Sequence, residues 1–220
     1  MFFYSECVKL ITERIDYFIH LVNKGGLVIE KRERIIVAAE RSFGLFGYKG
    51  TTMDQVAKLA GVAKGTIYTF FKNKEELFNE IIEPLIQVMK EKATQAIHPD
   101  DTFFNNLHRA LYEVLEFRKK HQLTLKLSQE VREIGTDNAQ VALERLEEEV
   151  ILFIERYLQS AIETGKIVHC DPRKTAFVMF KLYIALVFDW EEHGEALSKE
   201  EIADLFERYL VFGLKPRAAE

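Results

Sequence analysis

The sequence predicts an all-α protein in two parts: a three-helix N-terminal head containing a helix-turn-helix, and a larger helical body. Three observations carry that reading. After residue 30, apolar residues recur at helical spacing through almost the whole chain, separated by short polar, glycine or proline signals. Thr51 to Leu77 reads as a short helix, a tight turn, a second short helix and the polar start of a third. A long apolar-striped segment, Lys74 to about Ala96, then leads from the head into the body. These signals divide the chain into an extra N-terminal segment (1–29), a head (30–77) and a body (78–220).

Taken in order, Ser5 to Val22 carries Val8, Ile11, Ile15 and Val22 at helical spacing, and Lys24-Gly25-Gly26 ends the pattern. Glu6, Lys9, Glu13, Arg14 and Asp16 interrupt any apolar core, so a secretory signal is a poor reading. A packing helix, a translated extension upstream of the working start and a membrane-surface anchor all remain open. Lys31 to Phe46 is the first head helix, with Ile35, Ala38, Ala39, Ser42, Phe43 and Phe46 on or near one face, and Gly47 to Gly50 is its closing turn. Thr52 with Gln55 matches a capping box, and Val56, Leu59 and Ala60 give the next helix its apolar face. Gly61 ends that helix, because glycine bears no side-chain penalty in the left-handed conformation. A second short helix runs from about Lys64 to Phe70. Asn73 caps the long helix that follows, and Pro84 is expected to kink it rather than end it.

The body continues with Phe103 to Arg118, His121 to Ile134, and a long helix capped by Asn138 and stopped by Gly165. Pro172 opens the next helix at its first position. From Thr175 to Trp190 this helix is apolar almost all round, whereas a helix with one covered side needs only a stripe. Two readings cover such a helix: it is central in its own core, or it faces that core on one side and a second subunit on the other. The last helix, Lys199 to Phe212, adds a stripe that includes Ile202, Leu205, Phe206 and Tyr209. Val178, Leu182 and Leu186 join those four as the candidate dimer interface.

Composition bounds the function. With 48% apolar and 30% charged residues this is an ordinary globular chain, and nothing approaches a transmembrane run. Cys7 and Cys170 are too few for a disulfide framework and point to a reducing cytoplasmic setting. The net charge of -5 argues against nucleic acid until its distribution is read. Residues 28–78 carry nine Lys/Arg against six Asp/Glu, a net of +3, while residues 79–220 carry 18 against 26, a net of -8. A basic head on an acidic body suits a protein that touches DNA at one end. The second short helix is slim and polar at its start and aromatic at its end, as entry into a major groove requires.

On these residues the segment Lys31 to Leu77 resembles the tetracycline-repressor (TetR) family of bacterial transcriptional regulators. The resemblance rests on Phe43, Phe46, Gly47-Tyr48, Thr51-Thr52, Val56-Ala57, Ala60-Gly61-Val62, Lys64 to Tyr68, Phe71 and Lys74 to Leu77. Ala63 stands where many members have Ser, Phe70 where Tyr or His is common, and the first 27 residues lie outside the usual pattern. The body resembles the family only in the number, length and order of its helices.

The resemblance implies a homodimeric repressor that binds a palindromic double-stranded DNA operator and releases it when a small molecule enters the body. Ala63, Lys64, Gly65, Thr66 and Thr69 would form the exposed face of the recognition helix, with Lys64 reading a guanine edge or gripping a phosphate beside it. Thr52, Tyr68 and Lys74 are phosphate-clamp candidates, with half-buried support as the alternative for Tyr68. Ile67, Phe71, Leu59, Val56 and Phe43 read as core.

Seventeen phenylalanines supply large apolar surface, which suits a hydrophobic, aromatic or lipid-like effector. The candidate pocket walls are Phe103, Phe104, Leu107, Leu111, Leu123, Leu127, Phe153, Tyr157, Phe180, Tyr183 and Ile184; ordinary core packing is the other reading of each. Arg109 and Arg118 read as surface residues. No cofactor, metal or membrane partner is expected.

An activator, or a regulator answering to a partner protein, uses the same architecture. His169-Cys170-Asp171 lacks a second cluster at zinc-site spacing, and His108 with His121 is the one arrangement that suggests haem or metal sensing. No phosphate loop or nucleophile elbow appears, so an enzyme is not expected.

Overall fold

The computed structural model describes residues 31–211, and among them the fold is all-α. The expected helix over Ser5–Val22 lies outside these residues, as do Cys7 and Phe212. The α-helices are α1 (Lys31–Gly50), α2 (Met53–Ala60), α3 (Lys64–Phe70), α4 (Lys74–Gln95), α5 (Phe103–Lys120), α6 (Gln122–Ile134), α7 (Asp137–Glu163), α8 (Pro172–Ile184) and α9 (Lys199–Phe206). They divide into two compact units, and the division is not simply sequential. Residues 31–85 and 118–143 form the first, and 86–117 with 144–211 form the second. The unit that holds the head therefore also contains α6.

In the first unit, α1 buries Ile35, Ala38, Ala39, Ser42 and Phe43. Its helical geometry breaks at Gly47 (φ 75°, ψ -179°), a combination essentially restricted to glycine. Phe46 is 52% exposed although it continues the apolar spacing. The chain leaves the helix at Gly47, and Tyr48 takes the buried position at that level, stacked on Phe43 and edge-on to Phe78. Below the break, the buried hydroxyls of Ser42 and Thr51 share a hydrogen bond of 3.1 Å, and Thr51 Oγ1 donates to the Gly47 carbonyl at 2.8 Å. The sequence gives no hint of the next contact, which comes from α6, packed along α1. Glu130 is buried there, and its carboxylate accepts from the Lys49 backbone N–H at 3.0 Å.

In the second unit, Leu107, Leu111 and Leu115 of α5 are buried, as are Leu146, Ile154 and Leu158 of α7 and Met179, Phe180 and Tyr183 of α8. Arg109 is not a free surface residue. It donates to the Ala96 carbonyl at 2.8 Å and to Asp101 at 2.7 Å, and so clamps the turn that follows α4. Buried Asn106 completes that clamp by accepting from the His98 amide and donating to its carbonyl, each at 2.8 Å.

Three element boundaries differ from the sequence reading. α7 begins at Asp137, so Asn138 sits inside its first turn rather than capping it. The α-helix expected to reach Trp190 ends at Ile184 and continues as a π-helical stretch, Ala185–Asp189, and a 3₁₀ turn, Trp190–Glu192. α9 ends at Phe206 and gives way to a π-helical stretch, Glu207–Val211. Its start is fixed by a capping box between Ser198 and Glu201 that the sequence reading did not single out.

Two histidines make stability depend on pH. Burial pushes His108, with Lys199 and Arg109 adding repulsion, and His121 down from 6.5 to about 4. Between these values the unfolded chain binds protons that the folded chain refuses, so the contribution of these two groups to stability is full above 6.5 and is lost as pH drops toward 4. A series of thermal melts across that range is expected to show a falling midpoint, and His121→Phe is expected to flatten the fall.

Candidate nucleic-acid interface

The helix-turn-helix is built from its caps inward. The Thr52 hydroxyl accepts from the Gln55 amide at 3.2 Å, and the Gln55 side chain accepts from the Thr52 amide at 3.0 Å, so both arms of the capping box are made. Gly61 is left-handed (φ 63°) and closes α2. A residue the sequence reading passed over holds that end: Arg34 of α1 donates to the carbonyls of Ala60 at 2.5 Å and Gly61 at 2.9 Å. A Cβ on Gly61 would meet that guanidinium at 2.6 Å, so the left-handed backbone and the close approach of Arg34 both call for glycine.

Met53, Val56, Ala57 and Ala60 form the buried face of α2. Leu59, read from sequence as core, is 54% exposed because it falls on the opposite side of that face. Ile67 and Phe71 anchor α3 and are fully buried or nearly so. The other residues around them turn outward. Ala63, Lys64, Gly65, Tyr68 and Thr69 are exposed and Thr66 is half-buried, so the recognition-face candidates share one accessible surface. Tyr68 is 46% exposed. Among the described residues, nothing beyond its own stretch of helix lies within 4 Å of where a Cβ on Gly65 would sit, which leaves its backbone open to close approach.

Lys64 Nζ lies 2.8 Å from Asp54 Oδ2 at the start of α2, and this carboxylate raises the lysine's affinity for its proton. Thr52 is exposed, with its hydroxyl committed to the cap. Lys74 is half-buried. Its amine donates to the carbonyls of Tyr48 at 2.9 Å and Thr51 at 3.1 Å and lies 4.2 Å from the Tyr48 ring centre. Desolvation lowers its pKa. Lys74 thus ties the α1–α2 turn to the start of α4.

In the second unit an apolar cavity of about 10 Å³ lies between α4, α5 and α7. Ile86, Met89, Leu111, Leu146, Val150 and Phe153 are among its walls, and Lys90 and Glu149 pair across it at 2.6 Å. Of the candidate pocket residues it gathers Leu111 and Phe153. Tyr157 stacks between Phe153 and Phe103, and Phe104 is edge-on to Phe103. Leu107, Phe180 and Tyr183 are buried and Ile184 is half-buried, and none of the four lines this cavity. Leu123 and Leu127 belong to α6 in the first unit and do not line this cavity.

Of the candidate dimer residues, Val178 and Tyr209 are exposed and Leu182, Leu186 and Leu205 are half-buried. Ile202 and Phe206 are 2% exposed and belong to the chain's own core, with Phe206 edge-on to Tyr183 at 4.8 Å. His108 is hydrogen-bonded to the Tyr183 hydroxyl. Asp171, in the loop cluster with His169 and Cys170, caps α8 by accepting from the Lys174 amide at 3.0 Å.

Residues 35–81 match the model of the bacterial regulatory proteins of the tetR family. An uncharacterized HTH-type transcriptional regulator of Bacillus subtilis (strain 168), YhgD, is 54% identical over 186 residues, covering 84% of this chain and 97% of that protein. Among solved structures, a candidate fatty acid metabolism regulator of Clostridium perfringens is 26% identical, with a TM-score of 0.58 over 84% of this chain and all (100%) of that one. The reduced form of E. coli NemR is 18% identical with a TM-score of 0.64, over 86% of this chain and 100% of that one, and shares the fold.

Proposed function

We propose, from the premise that this chain belongs to the tetR family of bacterial regulatory proteins, that it is a homodimeric repressor which releases a palindromic operator on binding a hydrophobic small molecule. The observation that carries the DNA half of this reading is the face of α3. Lys64, Gly65, Tyr68 and Thr69 stand exposed on a helix anchored from behind by Ile67 and Phe71. A slim helix start enters a major groove, where Lys64 meets base edges while the amides at the start of α2 and the Tyr68 hydroxyl meet phosphates. Lys74 and the Thr52 hydroxyl act mainly by holding the head in shape, since both are engaged within it.

The dimer forms through the outward faces of α8, α9 and the π-helical stretches that continue them, centred on Val178, Leu182, Leu186, Leu205 and Tyr209. Two-fold symmetry then sets the spacing of the two α3 helices on DNA. The effector enters between α4, α5 and α7. The existing cavity of about 10 Å³ admits little more than a water, whereas small-molecule sites span roughly 300–1,000 Å³. Binding must therefore separate these helices. Because α4 runs unbroken for 22 residues from the head into the body, its displacement alters the spacing of the recognition helices. The aliphatic walls and the likeness to a candidate fatty acid metabolism regulator support an apolar effector. On this reading the protein has no catalytic role and works in the cytoplasm.

Removing the protein from its cell is expected to raise transcripts of genes beside its binding site, and supplying an active effector to the intact cell should do the same. A fall in those transcripts on removal would overturn repression in favour of activation.

A further inference from the structure

We infer that Asp54 and Lys64 act as a single reading element that recognises one G·C base pair in each half-site, an inference that rests on α3 being the recognition helix. The two side chains rise from the first turns of different helices, α2 and α3, and meet with Lys64 Nζ 2.8 Å from Asp54 Oδ2. Both are accessible, with side-chain exposures of 66% and 51%. Asp54 is the one acidic residue between Thr51 and Lys74. A carboxylate on a surface that approaches polyphosphate weakens binding to every sequence alike. A role in discrimination accounts for its place there, because the same carboxylate can accept from a base.

The geometry matches one base-pair edge. In the major groove guanine offers the acceptors O6 and N7, and its partner cytosine offers the N4 amino donor. Guanine O6 and cytosine N4 are themselves hydrogen-bonded, so they lie about 2.9 Å apart. A lysine donor beside an aspartate acceptor at 2.8 Å is the complement of that edge. The ammonium meets O6 and N7, and the carboxylate meets N4. An A·T pair with adenine under the lysine sets donor against donor and acceptor against acceptor. A T·A pair restores the central match, but it puts the thymine methyl under the lysine in place of N7 and sets adenine N7 against the carboxylate. Gly65, with open space around it, lets the helix approach closely enough for both contacts.

The pairing also has a purely structural reading, in which Asp54 only favours the N-terminus of α2 and steadies Lys64. That role affects melting temperature and overall affinity, and leaves base preference untouched. The deciding experiment is selection from random duplex DNA by the full-length protein, Asp54→Ala and Lys64→Ala, with thermal melts to confirm that each is folded. Wild-type protein is expected to require G·C at one position of each half-site. Both variants should lose about tenfold discrimination at that same position and retain the rest of the site. Asp54→Ala should in addition bind unrelated DNA more tightly.

Unchanged base preference in Asp54→Ala would overturn the inference. So would uniform weakening of all sequences by Lys64→Ala with a salt slope shallower by about one, the signature of a phosphate contact. If the alanine variant of Asp54 does not fold, Asp54→Leu keeps similar bulk, removes the acceptor and is expected to lose the cytosine preference. Failure of the wild-type protein to select any shared sequence is a separate result, and it removes the DNA-reading premise itself.

Discussion

Phe43→Ala is expected to destabilise the first unit by about 3–5 kcal/mol, the range for truncating a buried aromatic. Phe43 has no exposed surface, and its ring meets Tyr48 at 6.0 Å and Phe78 at 4.9 Å between centroids. It therefore joins α1, the α1–α2 turn and α4. Removing it leaves a cavity where those three elements meet, and the rigid neighbours Tyr48 and Phe78 cannot both collapse into it. At about 2–4 °C per kcal/mol for a chain of this size, the melting midpoint should fall by roughly 6–20 °C. DNA binding should be lost near the growth temperature and recovered on cooling. Leu59→Ala is the control: at 54% exposure it should cost under about 1 kcal/mol, although its sequence spacing places it with the core.

Gly47→Ala carries the second large effect, through two separate causes. The backbone conformation there (φ 75°, ψ -179°) strains any residue with a Cβ by about 1–3 kcal/mol. The new Cβ would also lie 2.2 Å from Glu130 Oε2, a contact that forces the buried carboxylate off the Lys49 amide. Together these should cost about 2.5–6 kcal/mol, adding loss of one charge-assisted hydrogen bond to the strain. Urea unfolding separates the two causes. Combining Gly47→Ala with Glu130→Ala removes the collision and keeps the strain, so the double variant should be less destabilised than the two single costs summed. Strict additivity would show that Glu130 does not meet the new methyl group.

These two positions also mark what the sequence discloses and what it does not. Local signals were legible: the Thr52–Gln55 capping box, Gly61, Asn73 and the Asp171–Pro172 start of α8 each act within one turn, and each sits as its residues predict. The helical order was legible for the same reason, since burial follows a short repeat. The family-like face of α3 came from one contiguous run, Ala63 to Thr69.

Contacts far apart in sequence were not legible. Glu130 reaches Lys49 across 81 residues, and a glutamate on a helix gives no sign that it is buried. Arg34 meets the end of α2 from 26 residues away, and Asp54 meets Lys64 from ten. Periodicity also overreached at its ends. Phe46 and Leu59 fit apolar spacing yet face outward, and Ile202 and Phe206 fit an interface stripe yet pack inside their own chain. An apolar stripe says that a face is covered, and only the packed neighbours decide by what.

Whether α3 reads a two-fold DNA site is decided by mixing the purified protein with fragmented genomic DNA and sequencing what it retains. A two-fold reader retains fragments that share a palindrome, with half-sites about one helical turn apart and retention that weakens steeply with salt. Retention without any shared sequence, or none even at low salt, would contradict that reading.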